Sequence, residues 1–175
     1  MAEATAVIPI PGRRGWRLEL WVPLVVILVD QVTKWLVRTS VPLHGSVQVI
    51  PDFLDITHVR NTGAAFGFLD AVDFPGKTIV IAAVAVCALI GVGIYAGTLA
   101  REHLLPRLGM ALIIGGAAGN LIDRILAGSV VDFVDAYWGT FHFWAFNAAD
   151  SAITIGVALM ILDMIGTRTH ASNPV

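Results

Sequence analysis

One run of 23 residues, Thr78–Ala100, contains no charged side chain, and it limits the possible folds of this chain more than any other feature. A helix of about 20 residues crosses the roughly 30 Å of hydrocarbon in a bilayer. This run predicts a span of about 78–100, and further apolar segments predict spans of about 18–37, 104–126 and 148–165. Because 57% of the 175 residues are hydrophobic and 14% are charged, one soluble core could not hide the apolar side chains. We predict an integral membrane protein, mainly α, with a single membrane domain over residues 1–175.

Charge and cysteine content exclude several classes of function. A net charge of −2 with 11 Lys and Arg residues leaves no basic patch, so no nucleic-acid partner is expected. The single cysteine, Cys87, excludes an internal disulfide framework and any multi-cysteine metal site. The five histidines do not have the spacing of a zinc-binding HExxH motif, so no metal or cofactor is expected.

The distribution of cations predicts the orientation of the four spans. Six cations belong to the two termini and the 101–107 loop, and five belong to the opposite side. The margin is narrow, but three arginines directly before the first span favour cytoplasmic termini. The first set is Arg13, Arg14, Arg17, Arg101, Arg107 and Arg168, and the second is Lys34, Arg38, Arg60, Lys77 and Arg124. A cleaved signal peptide is the alternative for the first span, but the apolar run ends at Asp30, without a small-residue cleavage site.

Two loops, about 38–77 and 127–147, then lie outside the cytoplasm. The first contains alternating residues at 47–49 and a stretch rich in strand formers at 53–59, separated by the turn signal Pro51-Asp52. These features predict a small sheet that lies on the extracytoplasmic surface of the membrane. The second loop is rich in aromatic residues, which are typical of the headgroup level. They are Phe133, Tyr137, Trp138, Phe141, Phe143, Trp144 and Phe146.

Polar residues at membrane depth are costly, so each one needs a partner or a function. Asp30 and Lys34 are four residues apart, which suits a helical ion pair that anchors the outer end of the first span. Asn120, Asp123 and Arg124 share one face of the third span. Asp123 is held by Arg124, by Asn120 or by a partner on another helix. The preceding stripe of small residues, Ala111, Gly115 and Gly119, predicts that this face packs against a neighbouring helix.

Two further aspartates are brought together by topology. Asp132 follows the third span, and Asp150 begins the fourth, where it can cap the helix. The connecting loop has only about 21 residues, so both carboxyl groups can meet at the outer surface. Two close carboxyl groups can share a proton, and such a pair can activate water, as in aspartic peptidases. Spacing alone does not choose this pair from the candidates Asp30, Asp123, Asp132, Asp135 and Asp150.

Five segments, taken together, resemble bacterial lipoprotein signal peptidase, also called signal peptidase II. They occur in that family's order and spacing, and they cover the chain from about residue 20 to residue 165. The segments are Asp30-Gln31-Val32-Thr33-Lys34, Arg60-Asn61-Thr62-Gly63-Ala64-Ala65-Phe66, Gly116-Ala117-Ala118-Gly119-Asn120-Leu121-Ile122-Asp123-Arg124, Val130-Val131-Asp132-Phe133 and Phe146-Asn147-Ala148-Ala149-Asp150-Ser151.

The resemblance implies a membrane aspartic endopeptidase. Such an enzyme removes the signal peptide of a diacylglyceryl-modified prolipoprotein by cutting just before the lipidated cysteine. The family's catalytic pair falls on Asp132 and Asp150. Its substrate-binding positions, some of which also hold the inhibitor globomycin, fall on Asn61, Asn120, Arg124 and Asn147. Positions that support the site fall on Asp30, Lys34, Gly63, Gly116 and Asp123.

The resemblance also implies an architecture and partners. The family fold has four transmembrane helices, a small extracytoplasmic β-cradle and a periplasmic helix. The strand-rich first loop fits the cradle, and the aromatic second loop fits the periplasmic helix. The expected partners are the prolipoprotein, membrane lipid and globomycin-type inhibitors, without a metal, cofactor or nucleic acid. The expected state is a monomer in the bacterial cytoplasmic (inner) membrane, with its site near the extracytoplasmic face.

Other functions fit the residues less well. A proton-coupled transporter could use the buried polar groups, but these gather at one membrane face, and no paired helix break is visible. A non-enzymatic scaffold could use the small residues Gly93 and Gly97 of the second span, although packing within one monomer also explains them. A serine–lysine dyad would have to use Lys34 or Lys77, and the first is better explained by Asp30.

Overall fold

Four helices and four short strands form the chain in a computed structural model, which describes residues 16–63, 72, 74–99 and 103–171. All four helices are long and apolar enough to cross a membrane, which confirms the predicted fold class. The division into a single domain over 1–175 stays a prediction. The elements are α1 (Trp16–Ser40), β1 (Ser46–Ile50), β2 (Leu54–Asn61), α2 (Lys77–Thr98), α3 (Leu104–Ala127), β3 (Val130–Trp138), β4 (Phe141–His142) and α4 (Ala148–Ala171).

Some residues used in the predictions lie outside the described part of the chain. They are Arg13, Arg14 and Arg101 from the charge comparison and Ala64, Ala65 and Phe66 from the second motif. The described helices begin and end within a few residues of the predicted spans, except that α4 continues to Ala171, six residues past the predicted end of the fourth span at 165.

Helix α3 is the centre of the bundle and packs against each of the other three helices. Glycines make this close packing possible, because a side chain at these positions would overlap a neighbour. A Cβ on Gly115 would lie 2.8 Å from the Cβ of Val26 in α1, and one on Gly116 would overlap the carbonyl oxygen of Ala149 in α4. The predicted packing of the small-residue stripe against a neighbouring helix is therefore confirmed. The glycines of α2, by contrast, have open space around them: Gly91, Gly93 and Gly97.

The sheet is antiparallel, in the order β1-β2-β3-β4, and sits at one end of the bundle, which we call the sheet end. Both strands predicted in the first loop are present, and the turn between them places Asp52 at a positive φ of 58°. The expectation of a helix in the second loop is wrong, because its described residues form β3 and β4. Apolar and polar residues alternate from Val134 to Trp138, and this period of two favours a strand.

The sheet is attached to the bundle by a small apolar core at the sheet end of α1. The buried side chains Val37, Val41, Val131 and Phe133 form this core, with Ile56, Val134 and Ala148 packed around it. Phe133 is only 8% exposed and belongs to this core. The interfacial aromatic belt predicted from the sequence therefore does not include it.

The contact between α3 and α4 predicts the effect of a single methyl group. A Cβ on Gly156 would lie 2.5 Å from the carbonyl oxygen of Gly109. We expect Gly156→Ala to destabilise the protein by about 1–3 kcal/mol, because neither backbone can move away easily. Thermal unfolding in detergent would measure the loss. Gly93→Ala is the matched control, since nothing lies within 4 Å of its added Cβ, and an equal loss in both variants would contradict the packing argument.

Candidate active site

A buried lysine joins helices α1 and α3 at the sheet end. The ammonium group of Lys34 lies 2.8 Å from each of three oxygen atoms, on Asp30, Asn120 and Asp123. Lys34 and Asp30 are completely buried, and Asp123 is 2% exposed. The contacts with Asp30 and Asn120 are hydrogen bonds, and the contact with Asp123 is an ion pair. The predicted Asp30–Lys34 ion pair is present, but it lies inside the bundle and does not merely anchor the end of a span.

Asp30 also connects α1 to the start of α4. Its second carboxylate oxygen accepts a hydrogen bond of 3.0 Å from the backbone N–H of Ala149. Gly119 makes room for the carboxylate, since a Cβ there would lie 2.6 Å from it. Gln31 donates to the same carboxylate and to the carbonyl oxygen of Gly119. The residues of three helices therefore meet around one aspartate.

Asp123 is held by cations of another helix. Its two carboxylate oxygens pair with Lys34 at 2.8 Å and with Arg38 at 2.7 Å. Of the three partners considered from the sequence, the partner on another helix is correct. Asp123 does not fix the side chain of Arg124 through a described hydrogen bond or ion pair. Arg124 instead donates to the carbonyl oxygens of Gly63 and Asn120.

Lys34 determines which way the amide of Asn120 points. A lysine ammonium group can only donate, so the atom of Asn120 that faces it must be the oxygen. The amide nitrogen then faces α4 and donates to Asp150 Oδ1 at 2.8 Å. The charge of Lys34 is thus connected to Asp150 through a single amide group.

Asn147 links the two candidate aspartates. Its side-chain oxygen accepts from the backbone N–H of Asp150 at 3.0 Å, and Asp150 Oδ2 accepts from the backbone N–H of Asn147 at 3.1 Å. This reciprocal pair is a capping box at the first turn of α4, so the predicted helix cap is present. The amide nitrogen of Asn147 donates to Asp132 Oδ1 at 2.7 Å. One fully buried asparagine therefore positions both carboxyl groups.

Asp132 lies on β3 with both carboxyl oxygens hydrogen-bonded. Asn147 donates to one oxygen, and Asn61 at the end of β2 donates to the other at 3.0 Å. Burial raises the pKa of Asp132 to about 6, and the nearby charge of Asp150 acts in the same direction, while the hydrogen bond from Asn61 opposes the shift. Asp132 is therefore a carboxyl group that can hold a proton close to neutral pH.

A turn at residues 61–63 completes the site. The side-chain oxygen of Asn61 accepts from the backbone N–H of Gly63 at 2.9 Å, which forms an Asx-turn. Arg124 Nη2 donates to the carbonyl oxygen of Gly63 at 3.0 Å, and Lys77 Nζ donates to the hydroxyl of Thr62 at 3.1 Å. The turn is held from two helices, so Asn61 faces Asp132 in a fixed orientation.

The structure brings ten of the eleven predicted site residues into one network of hydrogen bonds and ion pairs. They are Asp30, Lys34, Asn61, Gly63, Asn120, Asp123, Arg124, Asp132, Asn147 and Asp150. Gly116 does not share in these bonds but lets α4 approach α3. Asp135, the remaining candidate aspartate, pairs with His142 elsewhere on the sheet.

Sequence reasoning missed three contributors to this network. Arg38 follows Lys34 by four residues and so lies on the same helical face, a signal that could have identified it. Lys77 showed no partner in the sequence, because Thr62 is distant from it in the chain and becomes its neighbour only in the fold. Gln31 gave no sequence signal of its contact with α3.

The arrangement has close relatives among known proteins. Residues 22–166 match the family described as Signal peptidase (SPase) II. The chain is similar to the lipoprotein signal peptidase of Symbiobacterium thermophilum, with 43% identity over 85% of this chain and 94% of that protein. It is also 43% identical to the lipoprotein signal peptidase of Geobacter metallireducens, over 90% of this chain and 96% of that protein.

Solved structures give the same result for the fold. One, a bacterial membrane enzyme studied by the in meso method at 2.3 Å, is 35% identical and superposes with a TM-score of 0.78. The match covers 90% of this chain and 93% of that one. A second bacterial membrane enzyme, studied by the same method at 1.9 Å, is 36% identical with a TM-score of 0.72. That match covers 83% of this chain and 91% of the other.

The burial of Lys34 predicts a large loss of stability when it is replaced. Lys34→Met leaves buried carboxylates without their shared cation, and we expect a loss of about 3–5 kcal/mol in unfolding free energy. Arg38→Met is the matched control, because Arg38 pairs with the same Asp123 but its side chain is 33% exposed. Its expected loss is about 1 kcal/mol or less.

Denaturant unfolding in detergent would compare the two variants. If Lys34→Met does not fold, the double variant Asp30→Asn with Lys34→Met removes one buried charge of each sign and should restore folding. Equal losses for Lys34→Met and Arg38→Met would contradict the central place of Lys34, and so would a double variant less stable than the single one.

The raised pKa of Asp132 predicts that Asp132→Asn stabilises the protein by an amount that depends on pH. The folded pKa is about 6 and the ordinary value is 3.8, so the ionised carboxylate is disfavoured in the folded state. Below pH 3.8 the carboxyl group is protonated in both states, and its burial does not lower the free energy of unfolding. The destabilisation grows as the pH rises from 3.8 to about 6 and is complete above that value. The melting temperature of Asp132→Asn relative to the unchanged protein should therefore rise with pH from about 4 to about 7. A difference that is constant over this range would contradict the burial effect.

Proposed function

This chain belongs to the signal peptidase II family, and on that basis we propose that it is a bacterial membrane peptidase that removes the signal peptide of lipoprotein precursors. The observation that carries the proposal is the pair Asp132 and Asp150, held by the single buried amide of Asn147. We assign it the mechanism of an aspartic endopeptidase, acting on a diacylglyceryl-modified prolipoprotein just before the lipidated cysteine.

The two aspartates differ in a way that suits this chemistry. Asp132 has a pKa raised to about 6 by burial and is the group that carries the shared proton. Asp150 lies in the first turn of α4, where the helix dipole favours a negative charge. Asp150 is therefore the base, and Asp132 is the acid.

Cleavage then follows in two proton-coupled steps. Asp150 accepts a proton from water as the water oxygen bonds to the scissile carbonyl carbon, and Asp132 gives its proton to the carbonyl oxygen. The resulting tetrahedral diol collapses when its C–N bond breaks. The leaving nitrogen takes the proton from Asp150, and the hydroxyl returns a proton to Asp132, so both groups regain their starting states.

The neighbouring groups have supporting roles in this proposal. Asn61 and Arg124 flank the aspartates at the turn, and each has further donor capacity for a substrate carbonyl or for a globomycin-type inhibitor. Asn120 and Asn147 contact the aspartates directly and hold their orientation. The supporting residues are Asp30, Lys34, Gly63, Gly116 and Asp123.

The proposed setting is the cytoplasmic (inner) membrane, with both termini in the cytoplasm and the sheet end outside. A lipid-modified cysteine that follows a membrane-spanning signal peptide lies at the extracytoplasmic face of the cytoplasmic membrane. The pair of aspartates lies at the sheet end of α3 and α4, which is the matching depth for that substrate. We propose a monomer, whose partners are the prolipoprotein and membrane lipid.

Replacing either aspartate tests this function. Asp132→Asn and Asp150→Asn should each lower cleavage of a diacylglyceryl prolipoprotein in detergent by about 1000-fold or more, because each removes one proton-transfer group. Asp135→Asn is the matched control on the same strand, and it should cleave at the normal rate. Melting temperatures would establish that all three variants are folded. Normal processing by either of the first two variants would remove that aspartate from the reaction.

A further inference from the structure

The register of the sheet separates its side chains into two faces. Val47 lies opposite Ile56, and Ile56 lies opposite Val134, so these three side chains share one face. Gln48 lies opposite Asp55 on the other face. The register shifts between Gln48 and Ile50 and between Ile56 and Val59, so the faces are followed only in the outer part of the sheet, over residues 46–56 and 134–142. There, successive residues of a strand point in opposite directions, and each residue shares a face with its cross-strand partner.

In this outer part of the sheet, one face carries polar side chains that are joined by cross-strand hydrogen bonds. The hydroxyl of Tyr137 donates to Asp55 and accepts from Gln48, and Ser46 donates to Asp55. On the same face, the ring of His142 stacks on Tyr137, with 4.8 Å between the ring centroids. These groups are suited to contact with water.

In this outer part of the sheet, the opposite face carries apolar side chains, and much of it is exposed. Val47 is 52% exposed, and Trp138 reaches 81%. Its members, from all four strands, are Val47, Ile50, Leu54, Ile56, Val134, Ala136, Trp138 and Phe141. An exposed apolar patch of this extent marks a binding surface.

The position of the apolar face identifies what covers it. Ile56 and Val134 pack against the buried core to which Val37 and Val41 of the membrane-spanning helix α1 contribute. The apolar face is therefore turned toward the helix bundle, and its exposed part continues sideways beyond the bundle. A surface that continues the lipid-facing surface of the helices, at the end where they leave the membrane, is in position to contact the same lipid.

We propose that this apolar face is a lipid-binding surface, inserted into the membrane leaflet at the sheet end to the depth of the acyl chains closest to the headgroups. The polar face then remains in water. The sheet is embedded on one side only, and an aromatic pair, Trp138 and Phe141, forms its outermost contact. This assigns the amphipathic sheet a partner, the lipid itself, and a definite orientation.

A consequence for the reaction depends on the proposed function. Asp132 belongs to β3, the strand that also carries Val134, Ala136 and Trp138. Lipid contact along this strand fixes the height of Asp132 relative to the leaflet. A diacylglyceryl-bearing peptide can then reach Asp132 while its acyl chains stay in the membrane.

Site-directed spin labels on neighbouring residues test the proposal. Cys87→Ser removes the single cysteine, and a nitroxide is then placed at Val47→Cys on the apolar face or at Gln48→Cys on the polar face. The full chain is reconstituted in phosphatidylcholine nanodiscs. We expect label 47 to collide with oxygen, which concentrates in lipid, and to be protected from a water-soluble nickel chelate. Label 48 should show the reverse, and Trp138→Cys should match label 47.

The results would separate this proposal from the proposed peptidase activity, because the readout requires no cleavage. Equal exposure of labels 47 and 48 to the nickel chelate would overturn the lipid-binding face. Protection of both labels from the chelate would also overturn it, since that result indicates contact with protein on both faces. Lipid exposure at 47 and 138 in a chain that cleaves no prolipoprotein would support the face and count against the peptidase alone.

Discussion

The ion pair and hydrogen bonds of one buried ammonium group underlie the rest of this structure. Lys34 makes contacts of 2.8 Å with side chains of α1 and α3, and through Asn120 it reaches Asp150 in α4. The adjacent charged groups are two carboxylates and the guanidinium of Arg38, so the cluster is balanced in charge. Balance is what makes such a cluster tolerable away from water, because an uncompensated buried charge is strongly destabilising.

Much of the fold followed from the sequence, because its determinants are local. A span needs only a sufficient length of apolar residues, and the first two strands are marked by alternation and by the turn at Pro51-Asp52. The second loop was matched to the family's periplasmic helix through the resemblance, whereas the alternation at 134–138 favours the strand that is present. The pairing of Asp132 with Val59, which places β3 in the sheet, joins residues 73 apart and has no local signature.

The candidate site was less accessible to sequence reasoning. Spacing gave five possible aspartates, and the family resemblance reduced these to two. The partner of Asp123 was left open, because a choice between Arg124 and a cation on another helix depends on how the helices rotate against each other. Asn147 links the two aspartates because its amide contacts Asp132 in β3 and Asp150 in α4. This link is visible only in the three-dimensional structure.

The capping box at the start of α4 gives Asp150 two roles. Its carboxylate caps the N-terminus of α4 and, in the proposed reaction, also exchanges a proton. A longer acid such as glutamate would shift the carboxylate by one methylene, so the cap and the reaction geometry could not both be kept. Substitution at this position is therefore constrained by two roles. A small change of this side chain cannot improve the chemistry unless the start of α4 changes with it.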